Sequence, residues 1–310
     1  MSIVKNISVL GGGSWGTALA CLAARAVGNC LVHTIEQDVA DEINSSHTNS
    51  LYLGDTILPK GLKATLNIGD TVNSDFIIIA VPSFAFAKTL EDLKAVGLSD
   101  KTTLLIATKG MCENPLQLFS DRIENLLTNS YCFISGPNFA KEVAQDKFAS
   151  VTISSKNIKL AQEVADMLVS SKLEVGVTDD IITVQIAALV KNVVAIRSGM
   201  MEAEGHGENA RAWLISMGLH EIATISKSIG GKAESLALPA VIGDLVLTSY
   251  SKTSRNTKFG FDFHNNSYSK EYLKNYPVLV EGISSARLLK QYLSDSDFDL
   301  PIISFVADRV

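Results

Sequence analysis

The chain has 310 residues, about twice the length of a typical domain, so its length predicts two domains. Hydrophobic residues make up 46% of the sequence and charged residues 19%, which allows large buried cores and excludes a disordered or fibrous chain. The formal net charge of −6 excludes a generally basic nucleic-acid-binding protein. The four cysteines are widely spaced and form no CxxC pair, so neither a metal site nor a disulfide scaffold is expected.

The apolar segments are too short for a membrane-spanning helix, which needs about 18 unbroken apolar residues. The longest candidate, residues 76–87, is interrupted by Pro82 and Ser83. The first apolar stretch is short and runs into three glycines, which is not the pattern of a signal peptide. We therefore expect no membrane span and a cytoplasmic location.

Residues 1–180 alternate β-branched runs with helix-compatible stretches, a pattern typical of parallel strands joined by crossover helices. The predicted strands are Ile7–Leu10, Cys30–Ile35, Phe76–Val81, Thr103–Ala107, Tyr131–Ser135, Ala149–Ser154 and Leu173–Thr178. Predicted helices between them include Trp15–Val27, Ala85–Val96 and Ile158–Val169. Because the third run is apolar at every position, it is expected to be covered on both faces. The fold class predicted for this first domain is α/β, with a doubly wound, mostly parallel sheet.

From residue 181 onward the alternation stops, and helix-compatible stretches follow one another. These stretches are Ile181–Ala203, Ala210–Ser228, Ala233–Tyr250, Val280–Leu293 and Ile302–Val310. The sequence therefore predicts a second, all-α domain over residues 181–310.

A glycine-rich turn follows the first predicted strand. Gly11, Gly13 and Gly16 fit the spacing G-x-G-x-x-G between a strand and a helix. In such turns the first glycine makes the tight turn, the second lets the backbone approach a pyrophosphate, and the third allows close helix–strand packing. The free N–H groups of the helix then face the phosphates. This pattern predicts a Rossmann-type dinucleotide-binding domain, and the alternative interpretation is an ordinary glycine turn.

An acidic residue lies at the end of the second predicted strand. Glu36 follows Gly16 by twenty residues, where a carboxylate can accept hydrogen bonds from the adenosine ribose and repel a 2′-phosphate. It predicts NAD as the preferred cofactor, with NADP possible. The alternative is an ordinary solvated acid at a strand end.

Two lysines are candidates for proton transfer. Lys191 and Asn192 interrupt an otherwise apolar run, which is costly unless they face a polar cleft. Burial would lower the pKa of the Lys191 ammonium and make it usable as a base or an acid near neutral pH. Lys109 follows a predicted strand, and a second cation nearby would lower the pKa further. The alternatives are a lysine whose charged end reaches the surface and a surface-loop lysine.

A group of hydrogen-bond donors in the second domain is suited to a phosphate. Arg255 can grip a phosphate with its planar fork, while Ser254 and Asn256 fill the remaining oxygens. Asp244, about ten residues earlier, could orient Lys191 or hold substrate hydroxyls. Residues 135–138 follow a strand and could offer backbone donors to the same ligand. A solvated basic loop and a simple turn are the alternatives.

Eight short segments follow one another in order along nearly the whole chain. They are Gly11-Gly12-Gly13-Ser14-Trp15-Gly16-Thr17-Ala18, Val81-Pro82-Ser83, Thr108-Lys109-Gly110, Ser135-Gly136-Pro137-Asn138-Phe139-Ala140, Leu189-Val190-Lys191-Asn192-Val193, Gly243-Asp244-Leu245, Ser254-Arg255-Asn256 and Val280-Glu281-Gly282. This ordered set resembles the bacterial type of NAD(P)-dependent sn-glycerol-3-phosphate dehydrogenases. Single segments are weakly diagnostic, whereas all eight in this order are highly specific.

The resemblance implies reversible hydride transfer between glycerol 3-phosphate and dihydroxyacetone phosphate, supply of glycerol 3-phosphate for phospholipid synthesis, and a homodimer. It implies no metal, and its partners are small molecules rather than nucleic acid. The implied catalytic residues are Lys191, Lys109 and Asp244. The implied substrate-binding residues are Lys109, Gly136, Asn138, Lys191, Asn192, Asp244, Thr248, Ser254, Arg255 and Asn256. The implied cofactor-binding residues are Gly11, Gly13, Ser14, Trp15, Gly16, Glu36, Lys109, Ala140, Arg255, Leu279 and Glu281.

The sequence departs from the family pattern at three places. Asn138 stands where the family usually has Ser or Thr, and Glu36 lies near the position where many relatives place Arg or His for the 2′-phosphate. The segment 204–209 is shorter and more polar than the Gly/Leu-rich loop of the family, so His206 is predicted to be a surface residue. Two other functions stay open: a related two-domain NAD-dependent hydroxy-acid dehydrogenase, and a cofactor-sensing binding module without chemistry.

Overall fold

The computed structural model describes residues 6–310, so residues 1–5 of the predicted first domain lie outside the description. The chain forms two compact units. The first consists of residues up to Thr108, Phe119–Ile134 and Asn138–Asp179. The second consists of Lys109–Leu118, Ser135–Pro137 and Asp180–Val310, so two short segments inside the first 180 residues belong to it.

The first unit is built on an eight-stranded sheet with the strand order β10-β9-β8-β5-β4-β1-β2-β3. Its strands are β1 (Ile7–Leu10), β2 (Cys30–His33), β3 (Leu62–Thr65), β4 (Phe76–Ile79), β5 (Thr103–Ile106), β8 (Tyr131–Ser135), β9 (Ala149–Ser154) and β10 (Leu173–Thr178). Pairs β1–β2, β1–β4, β2–β3, β4–β5, β5–β8 and β9–β10 are parallel. The carboxyl ends of the central strands therefore lie along one edge of the sheet, where ligands bind in doubly wound folds.

Seven α-helices accompany this sheet within the described residues. They are α1 (Ser14–Val27), α2 (Gln37–Ser46), α3 (Ser50–Leu53), α4 (Phe86–Ala95), α5 (Phe119–Leu126), α6 (Ala140–Ala144) and α7 (Ile158–Leu168). Helix α1 buries a run of mostly small residues from Gly16 to Cys21, because alanine and glycine let the helix pack closely on the sheet. It ends at Gly28, whose φ of 91° is readily adopted only by glycine.

The predicted α/β class and the parallel sheet are confirmed. Four of the seven predicted strands have the predicted bounds, and the other three end one or two residues earlier. Strand β3 was not predicted, because Leu62–Thr65 is short and only its first residue is buried. Helix α2 was also missed, since it is mostly polar and buries only Val39, Ala40 and Ile43.

The second unit contains a two-stranded antiparallel ribbon, β6 (Cys112–Glu113) with β7 (Leu116–Gln117), and seven α-helices. The helices are α8 (Ile181–Ala203), α9 (Glu208–Ser228), α10 (Asp244–Tyr250), α11 (Arg255–Asn265), α12 (Lys270–Lys274), α13 (Glu281–Tyr292) and α14 (Pro301–Ala307). Helix α8 is the centre of this unit. Gly199 and Gly260 allow α8 and α11 to touch, because a Cβ on either glycine would lie 1.9 Å from a backbone oxygen of the other helix.

Helix α8 is long and apolar enough to cross a membrane, but 89% of its most apolar window is buried within the protein. A helix at the core of a soluble protein has the same length and composition, so this feature alone is weak evidence for a membrane span.

One predicted helix of the second unit is wrong in form. Ala233–Tyr250 is not continuous: a 3-10 turn covers Ala233–Ala237, a π-helical turn covers Pro239–Gly243, and α10 begins at Asp244. Pro239 cannot donate a helical hydrogen bond, and Leu238 before it has extended backbone angles, so the helix is interrupted there. The predicted donor loop around residue 255 is also partly helical, since Ser254 caps α11 and Arg255 is its first residue.

A buried carboxylate supports the last helix. Glu221, on α9, is fully buried and accepts hydrogen bonds from the backbone N–H groups of Ile302 (2.6 Å) and Ile303 (3.2 Å), at the start of α14. Burial raises the pKa of Glu221 to about 7, although the two N–H groups act in the opposite direction.

Candidate functional site

The glycine turn of the first unit has the geometry that a pyrophosphate requires. Gly11 has φ of 116°, and a Cβ there would lie 2.6 Å from the carbonyl oxygen of Ala80. A Cβ on Gly16 would lie 1.9 Å from the carbonyl oxygen of Gly11, so any side chain would force α1 away from the turn. Both positions therefore require glycine for reasons of space, and Gly11 requires it for its conformation as well.

The start of α1 is open to a ligand. A Cβ built on Gly13 would meet no atom within 4 Å, and no side chain caps the helix at this residue. The N–H groups of the first turn are thus left for an anion. Ser14 and Trp15 belong to this turn, and the buried indole N–H of Trp15 has no hydrogen-bond partner among the described residues. These features fit the diphosphate of a dinucleotide.

The carboxylate predicted to contact the ribose follows β2. Glu36 is half-buried and precedes α2, and its backbone N–H donates to Thr34 Oγ1 at 3.2 Å. The hydroxyl of Tyr52 donates to both carboxylate oxygens of Glu36, at 3.1 and 3.0 Å. Tyr52 was missed by the sequence analysis, because its short helix α3 has no fingerprint of its own.

Two further residues of the first unit were predicted near ligands. Ala140 is the first residue of α6. Asn138 donates from Nδ2 to the carbonyl oxygen of Ser150 at 2.9 Å, and its buried Oδ1 has no partner among the described residues. The amide is therefore held by β9 through its nitrogen, which leaves its oxygen as an acceptor.

The second unit brings together three side chains that are far apart in the sequence. Lys191 Nζ lies 2.6 Å from Asp244 Oδ1, and Lys109 Nζ lies 2.8 Å from Asp244 Oδ2. Thr248 donates to Asp244 Oδ1 at 3.0 Å and lies 3.2 Å from Lys191 Nζ. Lys191, Asp244 and Thr248 are each buried, and the Lys109 side chain is only 17% exposed. We call Lys109, Lys191, Asp244 and Thr248 the lysine cluster.

The elements of the second unit explain this convergence. Lys191 lies at the middle of α8, and Asp244 and Thr248 occupy adjacent turns of α10, where residues four apart share one helix face. Lys109 precedes the β6–β7 ribbon, whose flanking residues Met111 and Leu118 pack into the core of this unit.

The charges of the lysine cluster set its protonation. Burial lowers the pKa of Lys191 to about 8; the Asp244 carboxylate opposes this effect, and the positive charge of Lys109 adds to it. Burial acts in the same direction on Lys109, but the Asp244 carboxylate outweighs it and raises the pKa of Lys109. Burial disfavours the Asp244 carboxylate, yet the two ammonium groups lower the pKa of Asp244 overall. Of the three charged groups, Lys191 is therefore the one whose pKa lies nearest to neutral pH, because the charge of Asp244 favours the ammonium of Lys109.

A series of hydrogen-bonded amide groups begins at Asn192, the residue that follows Lys191. Asn256 Nδ2 donates to Asn192 Oδ1 at 2.9 Å, and the backbone N–H of Gly282 donates to Asn256 Oδ1 at 2.9 Å. Asn192 Nδ2 lies 3.4 Å from Glu281 Oε2, a weak contact. The series links α8, α11 and the start of α13, and it holds two predicted substrate residues beside a predicted cofactor residue. Leu279, two residues before Glu281, is 51% exposed.

The predicted phosphate ligands occupy the start of α11. Ser254 Oγ accepts the backbone N–H of Thr257 at 3.3 Å, so its hydroxyl proton stays available to a ligand. Arg255 is exposed, and its guanidinium has no hydrogen-bond or ion-pair partner within residues 6–310. An unpaired guanidinium at a helix N-terminus is suited to an anion.

Other predicted residues have the following places. Gly136 is buried and belongs to the second unit, where Gly243 leaves room for Pro137, since a Cβ on Gly243 would lie 3.3 Å from Pro137 Cγ. His206 is 51% exposed, as predicted. Among residues 6–310, no group of three or more His, Cys, Asp or Glu side chains could hold a metal ion.

The chain is similar to known proteins over nearly its whole length. Residues 6–161 match the family model described as the N-terminus of NAD-dependent glycerol-3-phosphate dehydrogenase, and residues 180–309 match the model of its C-terminus. Glycerol-3-phosphate dehydrogenase (NAD(P)+) of Rickettsia bellii is 44% identical over 314 residues, covering all of both chains. The enzyme of the same name from Rickettsia felis is 45% identical, covering all of this chain and 99% of the relative. The crystal structure of glycerol-3-phosphate dehydrogenase from Coxiella burnetii superposes with a TM-score of 0.91 at 31% identity, covering 98% of this chain and 94% of that one.

Proposed function

Because the chain belongs to the NAD-dependent glycerol-3-phosphate dehydrogenase family, we propose that it transfers hydride reversibly between sn-glycerol 3-phosphate and NAD(P)+. The products are dihydroxyacetone phosphate and NAD(P)H. The observation that carries the chemical assignment is the buried Lys191, whose pKa is lowered to about 8 beside Asp244 and Lys109. A lysine of this kind is suited to proton transfer.

Lys191 is the proposed proton acceptor and donor. In the oxidation direction, its neutral Nζ accepts the proton of the substrate hydroxyl as the carbonyl double bond forms. The nicotinamide, when bound, supplies the acceptor for the hydride that leaves the same carbon. In the reduction direction, the Lys191 ammonium returns the proton to the oxygen as negative charge develops on it.

Lys109, Asp244 and Thr248 support this step. The two ammonium groups and one carboxylate give the lysine cluster a net positive charge when Lys191 is protonated, which stabilises a developing alkoxide. Asp244 holds Lys109 and Lys191 on its two oxygens and thereby fixes the position of the amine that reacts. Asn192, the next residue of α8, is a proposed substrate ligand.

The phosphate of the substrate is proposed to bind at the start of α11. Arg255 supplies a planar pair of N–H donors, the Ser254 hydroxyl supplies a third, and Asn256 Nδ2 has one N–H left after its bond to Asn192. Gly136 and Asn138 are proposed as further substrate contacts. Binding the remote phosphate fixes the reacting carbon and lowers the entropic part of the barrier.

The cofactor is proposed to bind through the glycine turn and the residues that follow it. Gly11, Gly13 and Gly16 shape the turn, while Ser14 and Trp15 contact the diphosphate. Glu36 is proposed to accept the ribose hydroxyls and to make NAD the preferred cofactor, with NADP accepted less well. Further cofactor contacts are proposed for Lys109, Ala140, Arg255, Leu279 and Glu281.

The remaining assignments concern the context of the enzyme. We propose that residues 1–180 mainly bind the cofactor and residues 181–310 carry substrate binding and catalysis, with Lys109 as the exception. We also propose a cytoplasmic homodimer that supplies glycerol 3-phosphate for phospholipid synthesis.

The test is to follow NADH absorbance with dihydroxyacetone phosphate as the oxidant. Substitution Lys191→Ala is expected to reduce turnover by about 10²–10⁴-fold, the usual contribution of general acid–base catalysis, while NADH binding measured by fluorescence persists. Lys227→Ala, at an exposed position of α9, is the control and should stay fully active. A nearly active Lys191→Ala variant would refute the role of Lys191. Equal activity toward unphosphorylated 2-keto acids would favour a hydroxy-acid dehydrogenase instead.

A further inference from the structure

Helix α3 of the first unit contacts two parts of the proposed cofactor site, the first turn of α1 and the Glu36 carboxylate. The Tyr52 hydroxyl donates to the two carboxylate oxygens of Glu36, and the carbonyl oxygen of Tyr52 accepts the Ser14 hydroxyl at 3.1 Å. One residue of α3 is therefore bonded to the carboxylate that follows β2 and to the first turn of α1.

The residue that directly precedes α3 supports the glycine turn itself. Asn49 is fully buried, and its Nδ2 donates to the carbonyl oxygen of Gly12 and to Thr17 Oγ1, both at 2.9 Å. Thr17 Oγ1 in turn donates to the same carbonyl at 3.1 Å. Because Asn49 precedes α3 directly, the turn, α3 and Glu36 are joined by side-chain hydrogen bonds within one unit.

We propose that Tyr52 is a positioning residue that holds the Glu36 carboxylate at the adenosine ribose and thereby determines the preference for NAD over NADP. This inference rests on the cofactor-binding part of the proposed function. It concerns a residue that neither the fingerprint nor the family motifs singled out.

The hydrogen bond has two consequences for recognition. A free glutamate side chain populates several rotamers, so a carboxylate that can rotate away repels a 2′-phosphate only weakly. The phenol removes this freedom. It uses only part of the acceptor capacity of the carboxylate, which has about four lone-pair sites, so the ribose hydroxyls can still donate to the remainder.

The phenol also remains a reliable donor across the working pH range. Burial, together with the hydrogen bond to Glu36 and its negative charge, raises the pKa of Tyr52. The hydroxyl therefore keeps its proton at neutral pH. A 2′-phosphate that binds next to this phenol and carboxylate would lose hydration and gain no cationic partner. The 2′-hydroxyl of NAD, in contrast, can donate a hydrogen bond to the carboxylate.

The experiment measures dissociation constants for NADH and NADPH by fluorescence, without substrate. The substitution Tyr52→Phe keeps the ring that packs against the sheet core and removes only the hydroxyl. We expect the ratio of the NADPH to the NADH dissociation constant to fall by about tenfold or more, the size of one hydrogen bond to a charged group. Thermal unfolding of each variant checks that the fold is retained.

Two further variants separate positioning from general loss of structure. In a Glu36→Gln background, Tyr52→Phe should produce no additional change in the ratio, because Tyr52 acts through the charge of Glu36. Tyr131→Phe is the matched control, since Tyr131 also donates to a glutamate of the first unit, Glu124, and should leave the ratio unchanged.

The outcomes are distinguishable from those that test the overall function. An unchanged ratio in a folded Tyr52→Phe protein, additive effects of the two substitutions, or equal affinity of the unmodified protein for NADH and NADPH would each overturn the inference. If the ratio shifts as expected while the unmodified protein does not oxidise NADH with dihydroxyacetone phosphate, the role of Tyr52 stands and the proposed reaction fails.

Discussion

The pH dependence of catalysis tests the electrostatics of the lysine cluster directly. In the oxidation direction Lys191 must be neutral, so the rate rises with pH through its pKa of about 8. Part of the lowering comes from the positive charge of Lys109, which shares the Asp244 carboxylate. The substitution Lys109→Met removes this charge and keeps an apolar stem of similar length.

The size of the effect follows from the geometry. Two ammonium groups on the two oxygens of one carboxylate lie on the order of 5 Å apart, and at an effective dielectric constant of about 20 they repel by roughly 3 kcal/mol. This energy corresponds to about two pH units. The midpoint of the oxidation rate is therefore expected to move upward from about 8 toward 10, because the remaining Asp244 charge then favours the Lys191 ammonium and only burial opposes it.

The assay is kcat/KM for glycerol 3-phosphate oxidation as a function of pH, which reports the free enzyme. The reduction direction should shift in the same sense, with activity maintained to higher pH. Lys227→Met is the control, since an exposed charge on α9 is screened by solvent. A midpoint in Lys109→Met that stays the same or moves downward would refute this account of the low Lys191 pKa.

Two other substitutions test the phosphate site and the support of α14. Arg255→Ala should reduce kcat/KM for glycerol 3-phosphate by about 10²-fold or more through loss of charged hydrogen bonds, and any loss for unphosphorylated glycerol should be smaller, because only the proposed cofactor contact of Arg255 is then removed; equal losses for both substrates in steady-state kinetics would remove Arg255 from the phosphate site. The pKa of Glu221 is raised to about 7 in the folded chain, so its contribution to stability is present below its ordinary value of 4.5 and is lost as pH rises through 7. Urea unfolding between pH 5 and 9 should show that Glu221→Gln lacks this loss, which amounts to roughly 3 kcal/mol; parallel stability profiles of the two proteins would contradict it.

The sequence determined the elements whose signals are local. Seven of the eight strands of the first unit follow from β-branched runs, and α8 follows from 23 residues without a proline. The spacing of Gly11, Gly13 and Gly16 marks the dinucleotide turn, and the contact that requires glycine at position 16, with the carbonyl oxygen of Gly11, lies within the turn itself. Such features depend on sterics within a few residues, so they can be read without the fold.

The tertiary structure decided which side chains meet. Lys109 and Lys191 are 135 and 53 residues from Asp244, and no local pattern states that one carboxylate pairs with both. The bond from Tyr52 to Glu36 likewise depends on how α3 packs beside the glycine turn. The break at Pro239 replaces a predicted helix and sets where α10 begins, and therefore where Asp244 lies. The periodicity of the sequence predicts which face of a helix is buried. It does not predict which residues pack against that face, because the pairing of buried charges is determined only by the tertiary fold.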